Sequence, residues 1–174
     1  MKNPQNALSL HAPQTSGLAA RFIAVRQQTE NLIKPLSAED CQLQSMPDAS
    51  PAKWHLAHLT WFFETFLLER FEKNFKPFDT RFRVLFNSYY NGVGEKYPRP
   101  QRGLISRPSL AEVLDYRARV NQRMLDIMAQ LQASGSATEK RDIAELVTLG
   151  LHHEQQHQEL LLTDIKHLLW CNPL

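Results

Sequence analysis

Hydrophobic residues recur at helical spacing in four long segments of the chain. In residues 18–34, Leu18, Phe22 and Val25 lie roughly on one stripe of a helix. Pro35 follows this segment, and proline cannot continue a helix without losing a backbone hydrogen bond. The pattern therefore predicts a first amphipathic helix that ends before Pro35.

The second segment, residues 51–71, is apolar on most of its faces, which predicts a helix at the centre of the fold. Ser50 is predicted to cap this helix and Pro51 to be its first residue, because these positions favour those residue types. Between the first two helices, Ser37 and Asp40 predict a short capped turn.

A long irregular connection precedes the last two helices. Residues 72–107 contain several Gly and Pro residues, and loops of this length inside a compact domain are often functional. Ser109 and Glu112 form a capping-box pattern, which predicts a third helix that continues to about residue 133. The fourth is predicted over about 138–170. We therefore predict an all-α four-helix bundle with a long ordered loop between helices 2 and 3.

The composition is ordinary for a soluble globular domain. The chain has 174 residues, of which 43% are hydrophobic and 22% charged, and a net charge of +2 with dispersed Lys and Arg argues against nucleic-acid binding. No apolar run approaches the roughly 20 residues of a membrane span, and two cysteines are too few for a disulfide scaffold. We expect a cytoplasmic protein with a flexible tail over 1–17 and one helical domain over 18–174.

Two histidine pairs predict a metal site. His153 and His157 are four residues apart, so a helix places both imidazoles on one face, where they can reach one ion. A third ligand is expected from the second helix, which carries His55 and His58, and their spacing does not decide between them. At about 100° per residue, Glu159 falls on a different face of the helix from His153 and His157. We therefore expect it to hydrogen-bond to a metal ligand rather than to bind the metal itself.

Two other interpretations compete with this metal site. With Glu154, residues 153–157 match the short His-Glu-x-x-His signature of zinc peptidases. Apart from His167, no downstream residue has a typical third-ligand spacing, and no strand for peptide binding is predicted. The histidines could also be ordinary surface or core residues, but their clustering in two strongly apolar helices favours metal binding.

Four segments together resemble a known family. They are residues 54–58 (WHLAH), 86–90 (FNSYY), 99–108 (RPQRGLISRP) and 153–167 (HEQQHQELLLTDIKH). These segments resemble the N-terminal, DinB-like domain of the ergothioneine-biosynthesis sulfoxide synthases, the hercynine oxygenases. The resemblance covers nearly the whole chain after about residue 18, and it implies a DinB-like helical bundle.

The resemblance also implies a ligand set and a chemistry. His58, His153 and His157 match three histidines that hold a non-haem iron(II), for which zinc or nickel could substitute. The family uses oxygen to join hercynine to the thiol of cysteine or γ-glutamylcysteine as a sulfoxide. Gln156 matches a residue that touches the hercynine region; the alternative is an ordinary polar helix residue.

The long connection supplies further candidates for substrate binding. Arg102 and Arg107 could each hold a substrate carboxylate through two hydrogen bonds, and the alternative is a solvated loop face. Tyr90 is a third candidate, and the alternative is that it packs the loop onto the bundle.

One difference from the family limits what the resemblance implies. Family enzymes continue into a larger second domain that resembles the formylglycine-generating enzyme, whereas these 174 residues cover only the first domain. We therefore expect metal binding but little or no sulfoxide synthase activity from this polypeptide alone. The alternatives are a stand-alone DinB-like metal-dependent thiol transferase and a non-catalytic metal-binding helical module. An uncovered apolar surface could also drive formation of a homo-oligomer.

Overall fold

The computed structural model describes residues 15–174, and all regular structure in this range is helical. The α-helices are α1 (Thr15–Ile33), α2 (Ala38–Gln42), α3 (Ala52–Phe63), α4 (Glu69–Phe71), α5 (Phe82–Leu85), α6 (Leu110–Ser134) and α7 (Ala137–Trp170). The all-α prediction is confirmed, and the connections add short helices to the four long helical segments. The predicted tail, 1–17, lies outside the described residues except for 15–17, which belong to α1.

Local capping starts three of these helices. The serine–carboxylate pairs are Ser37 and Asp40 at α2, Ser109 and Glu112 at α6, and Ser136 and Glu139 at α7. In each pair the serine hydroxyl accepts a backbone N–H, and the carboxylate accepts the backbone N–H of the serine. The predicted caps of α2 and α6 are confirmed, and the third pair starts α7 slightly earlier than predicted.

Helix α3 is the centre of the fold. All of its residues are buried, and it packs against both α6 and α7. It continues through a π-helical turn, Glu64–Leu68, into α4, so the predicted helical segment over residues 51–71 is nearly continuous. The predicted cap is wrong: Pro51 occupies the N-cap position, because Ser50 is held by tertiary hydrogen bonds to Asp164 and Arg102 instead.

A close contact sets the distance between α3 and α7. Gly150 of α7 is buried, and a Cβ atom at this position would lie 2.7 Å from the ring of Phe63 and 3.0 Å from that of Phe62. The absence of a side chain therefore lets α7 approach the aromatic face of α3. His153, one helical turn beyond Gly150, is carried into contact with Phe62 at 4.7 Å between ring centroids.

The connection between α4 and α6 forms one wall of a cavity. It contains α5 and two 3-10 helices, Asn91–Val93 and Arg99–Leu104. The amide of Asn87 donates to three backbone carbonyls of the loop, and the indole N–H of Trp54 donates to the carbonyl of Leu85 at 3.2 Å. The Asn87 bonds hold the loop in its own conformation, and the Trp54 bond ties the loop to the first turn of α3. Among the described residues, no helix combines the length and apolarity needed to cross a membrane.

Candidate metal centre

Three histidines from two helices converge at the inner wall of this cavity. His58 comes from α3, His153 and His157 come from α7, and their ligand atoms all lie within 4.8 Å of one another. The ring centroids are 5.0 Å apart for His58 and His153 and 4.6 Å apart for His153 and His157. The structure thus brings together the three predicted ligands and selects His58 over His55 for the cluster.

Neighbouring aromatic rings and a backbone carbonyl hold His58 in place. Its imidazole is stacked between Trp54 and Trp61, at centroid distances of 4.7 and 5.5 Å. Its Nδ1 atom lies 2.6 Å from the carbonyl oxygen of Phe86, which can only accept a hydrogen bond. Nδ1 is therefore the donor, and in neutral His58 the Nε2 atom keeps its lone pair.

Burial keeps the three imidazoles neutral, which is the form that binds metal ions. Burial lowers the pKa of His58 well below its ordinary value, and the neighbouring His153 lowers it further. Burial likewise lowers the pKa of His153 to about 4. The pKa of His157 is lowered by burial and then by His58 and His55. All three histidines therefore present neutral nitrogen donors at neutral pH.

This donor set fits a divalent transition metal. The Nε2 atoms of His58 and His153 face each other at 3.2 Å, and Nδ1 of His153 is buried without a hydrogen-bond partner. One imidazole nitrogen of each histidine therefore faces the other, and a cation bound between them would take the place of this hydrogen bond. Imidazole ligands suit iron, zinc and nickel, so the donors by themselves do not select the metal.

His55 and Asp164 lie beside the cluster. His55 approaches His157 at 2.9 Å between the two Nδ1 atoms, and its Nε2 atom lies 2.9 Å from Oδ2 of Asp164. Asp164 was not singled out by the sequence patterns, although it lies two helical turns after His157 and hence on the same face of α7. Glu159, the predicted partner of a ligand, is exposed, and its carboxylate hydrogen-bonds to none of the described residues.

Glu154 points away from the histidines into a buried ionic cluster. Its carboxylate accepts hydrogen bonds from Arg26 at 2.8 Å, from Thr29 at 2.6 Å and from Arg117. Burial alone would raise the pKa of Glu154, but Arg26 and Arg117 outweigh burial and lower it to about 2. Burial and Arg117 lower the pKa of Arg26 to about 10, so the guanidinium stays charged at neutral pH. The glutamate of the zinc-peptidase signature therefore does not serve as a general base beside the histidines.

The histidines open into a cavity of about 470 Å³. Of the predicted substrate-binding residues, Tyr90, Arg102 and Gln156 line this cavity, as do Ser88 and Arg99, which were not among those candidates. Arg107 does not: it is exposed and lines a separate cavity beside α6. The carbonyl of Ser106 accepts a hydrogen bond from its guanidinium.

Arg102 places a buried positive charge in the wall of this cavity. It is only 4% exposed, and its guanidinium lies 3.4 Å above the ring centroid of Trp54. It donates hydrogen bonds to the hydroxyls of Ser50 and Ser88 at 2.9 and 3.0 Å, but it forms no ion pair with any carboxylate of the described residues. Burial and Arg99 lower its pKa to about 10, so the guanidinium remains charged at neutral pH.

Comparison with known proteins identifies the family of this chain. No curated protein matches the chain. A sequence model of the DinB superfamily matches residues 21–161, a range that contains His58, His153 and His157. Because this match spans most of the 174 residues, the protein belongs to the DinB superfamily.

Proposed function

We propose that this protein is the iron(II)-binding domain of an oxygen-dependent sulfoxide synthase that joins hercynine to the thiol of cysteine or γ-glutamylcysteine. The proposal rests on one observation: three neutral imidazoles and a buried arginine without a carboxylate partner line the same cavity. His58, His153 and His157 would hold the metal. When bound, iron would supply the activation of oxygen that carbon–sulfur bond formation and sulfoxidation require.

The chain's own residues account for substrate recognition. Arg102 offers a guanidinium fork toward a cavity that holds no competing ion pair for it, and both proposed substrates carry a carboxylate. Gln156 precedes a ligand histidine and lines the same cavity, where its amide can orient a polar group of hercynine. The ring of Tyr90 packs on Phe66 at 5.0 Å between centroids and forms an apolar wall. These residues bind and orient the substrates, and they bury the reacting groups from water.

Anaerobic titration tests this assignment. Metal-free protein is titrated with iron(II), then with hercynine and each thiol, and binding is followed by absorption spectroscopy and calorimetry. We expect one equivalent of iron(II) to bind, and we expect each of three variants, His58→Ala, His153→Ala and His157→Ala, to lose it. Hercynine and then the thiol should each change the iron spectrum in the unsubstituted protein.

A matched pair of arginine variants tests the substrate part of the proposal. Arg102→Lys keeps the positive charge but loses the planar fork, so we expect iron binding to persist and the affinity for a carboxylate substrate, hercynine or the thiol, to fall about tenfold or more. Arg119→Lys on α6, where Arg119 pairs with Asp115 at the surface, is the control. It should change neither iron binding nor substrate affinity.

Other results would assign the site differently. Tight zinc binding with a thiol response that does not require hercynine would favour the metal-dependent thiol transferase. Metal binding without a response to either substrate would favour a non-catalytic metal-binding module. Metal affinity that is unchanged in all three histidine variants would refute the site itself.

A further inference from the structure

A row of three side chains, His157, His55 and Asp164, leads from the three-histidine cluster to the edge of the cavity. The Nδ1 atom of His157 lies 2.9 Å from Nδ1 of His55, and Nε2 of His55 lies 2.9 Å from Oδ2 of Asp164. His55 is 2% exposed, and the row joins α3 to α7. The side chain of Asp164 is 15% exposed, so the row is shielded from water along most of its length.

The chemistry of these groups determines which atom carries each proton. Oδ2 of Asp164 accepts the backbone N–H of Ser50 at 2.9 Å, and a carboxylate has no proton to donate, so Nε2 of His55 must be the donor. A neutral imidazole carries one N–H, which leaves Nδ1 of His55 as an acceptor. Nδ1 of His157 must then donate, and Nε2 of His157 keeps its lone pair.

We propose that Asp164, acting through His55, is a positioning residue that holds His157 in the tautomer with its proton on Nδ1 and a lone pair on Nε2 for a divalent metal. The proposal rests on the metal site of the proposed function and adds the reason why that site is preorganised. Without the row, neutral His157 would populate both tautomers, and one of them blocks Nε2 with a proton.

The three ligands are therefore held in three different ways. The carbonyl of Phe86 directly orients His58, the charged carboxylate of Asp164 orients His157 through a second imidazole, and Nδ1 of His153 has no hydrogen-bond partner. A carboxylate behind a ligand histidine raises the basicity of that ligand, and loss of such partners typically costs about 10- to 100-fold in metal affinity.

The test measures the tautomer without metal and the affinity with metal. In the metal-free protein, nitrogen-15 NMR of labelled histidine side chains reports which ring nitrogen carries the proton. We expect Nδ1 of His157 to be protonated and Nε2 to be unprotonated. Cobalt(II) is the metal probe, because its absorption bands report both the dissociation constant and the ligand geometry.

Three variants separate positioning from a merely structural role. His55→Phe keeps a planar ring but removes the acceptor, so we expect mixed tautomers at His157 and about 10- to 100-fold weaker cobalt binding. His55→Gln offers an amide oxygen as acceptor, so it should partly restore the single tautomer of His157 and partly restore the cobalt affinity. Asp164→Asn keeps an acceptor without the charge and should give an intermediate loss of cobalt affinity. Because Asp164 is partly exposed, this variant also tests the proposal if His55→Phe does not fold. Glu159→Gln, on the exposed face of α7, is the control and should match the unsubstituted protein.

The possible results distinguish this proposal from the proposed function. If the unsubstituted protein binds no cobalt, the metal site fails, while NMR still decides the tautomer. If it binds cobalt and NMR places the proton on Nε2 of His157, the positioning role is overturned. Equal cobalt affinity and spectra in His55→Phe and the unsubstituted protein would also overturn it.

Discussion

Replacement of Glu154 by glutamine should strongly destabilise the protein, although the residue lies in the middle of a peptidase-like motif. Its carboxylate is fully buried between the guanidinium groups of Arg26 and Arg117, which are 2% and 0% exposed. Removing one partner from a buried ion pair typically costs about 3–5 kcal/mol, because the other charge stays buried without compensation. Arg26 would lose its ion pair in this way, whereas Arg117 would keep Glu30 at 3.0 Å. For a domain of this size, about 2–4 °C per kcal/mol predicts that Glu154→Gln lowers the melting temperature by about 6–20 °C.

The lowered pKa of Glu154 makes the stability of the protein depend on pH. Lowering the pKa from 4.5 to about 2 in the folded state corresponds to about 3 kcal/mol, since each pKa unit is worth about 1.4 kcal/mol. A carboxylate with a lowered folded-state pKa contributes stability that is fully present above pH 4.5 and is lost as the pH falls toward 2. The unfolding free energy should therefore fall over this pH range, and Glu154→Gln should reduce that fall.

Urea and thermal unfolding, followed by circular dichroism from pH 7 to pH 2, measure both effects. Glu159→Gln is the matched control on the same helix, and as an exposed site it should change stability by less than about 0.5 kcal/mol. If Glu154→Gln were as stable as the control at pH 7, the ionic cluster would not stabilise the bundle as argued. Unaltered stability together with loss of a hydrolytic activity would instead revive the peptidase interpretation.

Three other perturbations test the fold and the metal centre. Gly150→Ala should destabilise the protein by about 1–2 kcal/mol in urea unfolding, because overpacking against Phe63 outweighs the helical preference of alanine; a stabilised variant would contradict the close packing. Tyr116→Phe removes the hydroxyl that donates to buried Glu64 at 2.6 Å and should cost about 1–3 kcal/mol, measured the same way. Zinc or iron(II) at 100 times its dissociation constant should stabilise the protein by about 2.7 kcal/mol in thermal unfolding, and a chelator should reverse this stabilisation. An unchanged melting temperature would argue against a metal site in the folded state.

Local interactions were readable from the sequence because both partners lie within one or two turns of the chain. The caps at Ser37 and Ser109 depend on residues three positions away, so their pattern predicts them directly. Ser50 has the residue type of a cap, yet its hydroxyl accepts a hydrogen bond from Arg102 and its backbone N–H donates to Asp164. Those partners are 52 and 114 residues distant in the chain, and no local pattern reveals them.

The directions of the two candidate substrate-binding arginines were harder to predict because these residues lie in the long connection between α4 and α6. Arg102 and Arg107 are both arginines of the same loop, and neither has a helical period that would fix its direction. The 3-10 helix Arg99–Leu104 buries Arg102 over Trp54, whereas Arg107 lies outside that element and faces solvent.

The sequence by itself determined an all-α fold and the shared face of His153 and His157, because helical periodicity places residues four apart on one side. Only the tertiary structure decided that His58 completes the cluster while His55 joins His157 to Asp164. The two α3 histidines are three residues apart, so the choice depends on how α3 is rotated against α7. That rotation is set by packing, including the close approach at Gly150, and packing between distant helices is not encoded in any local pattern.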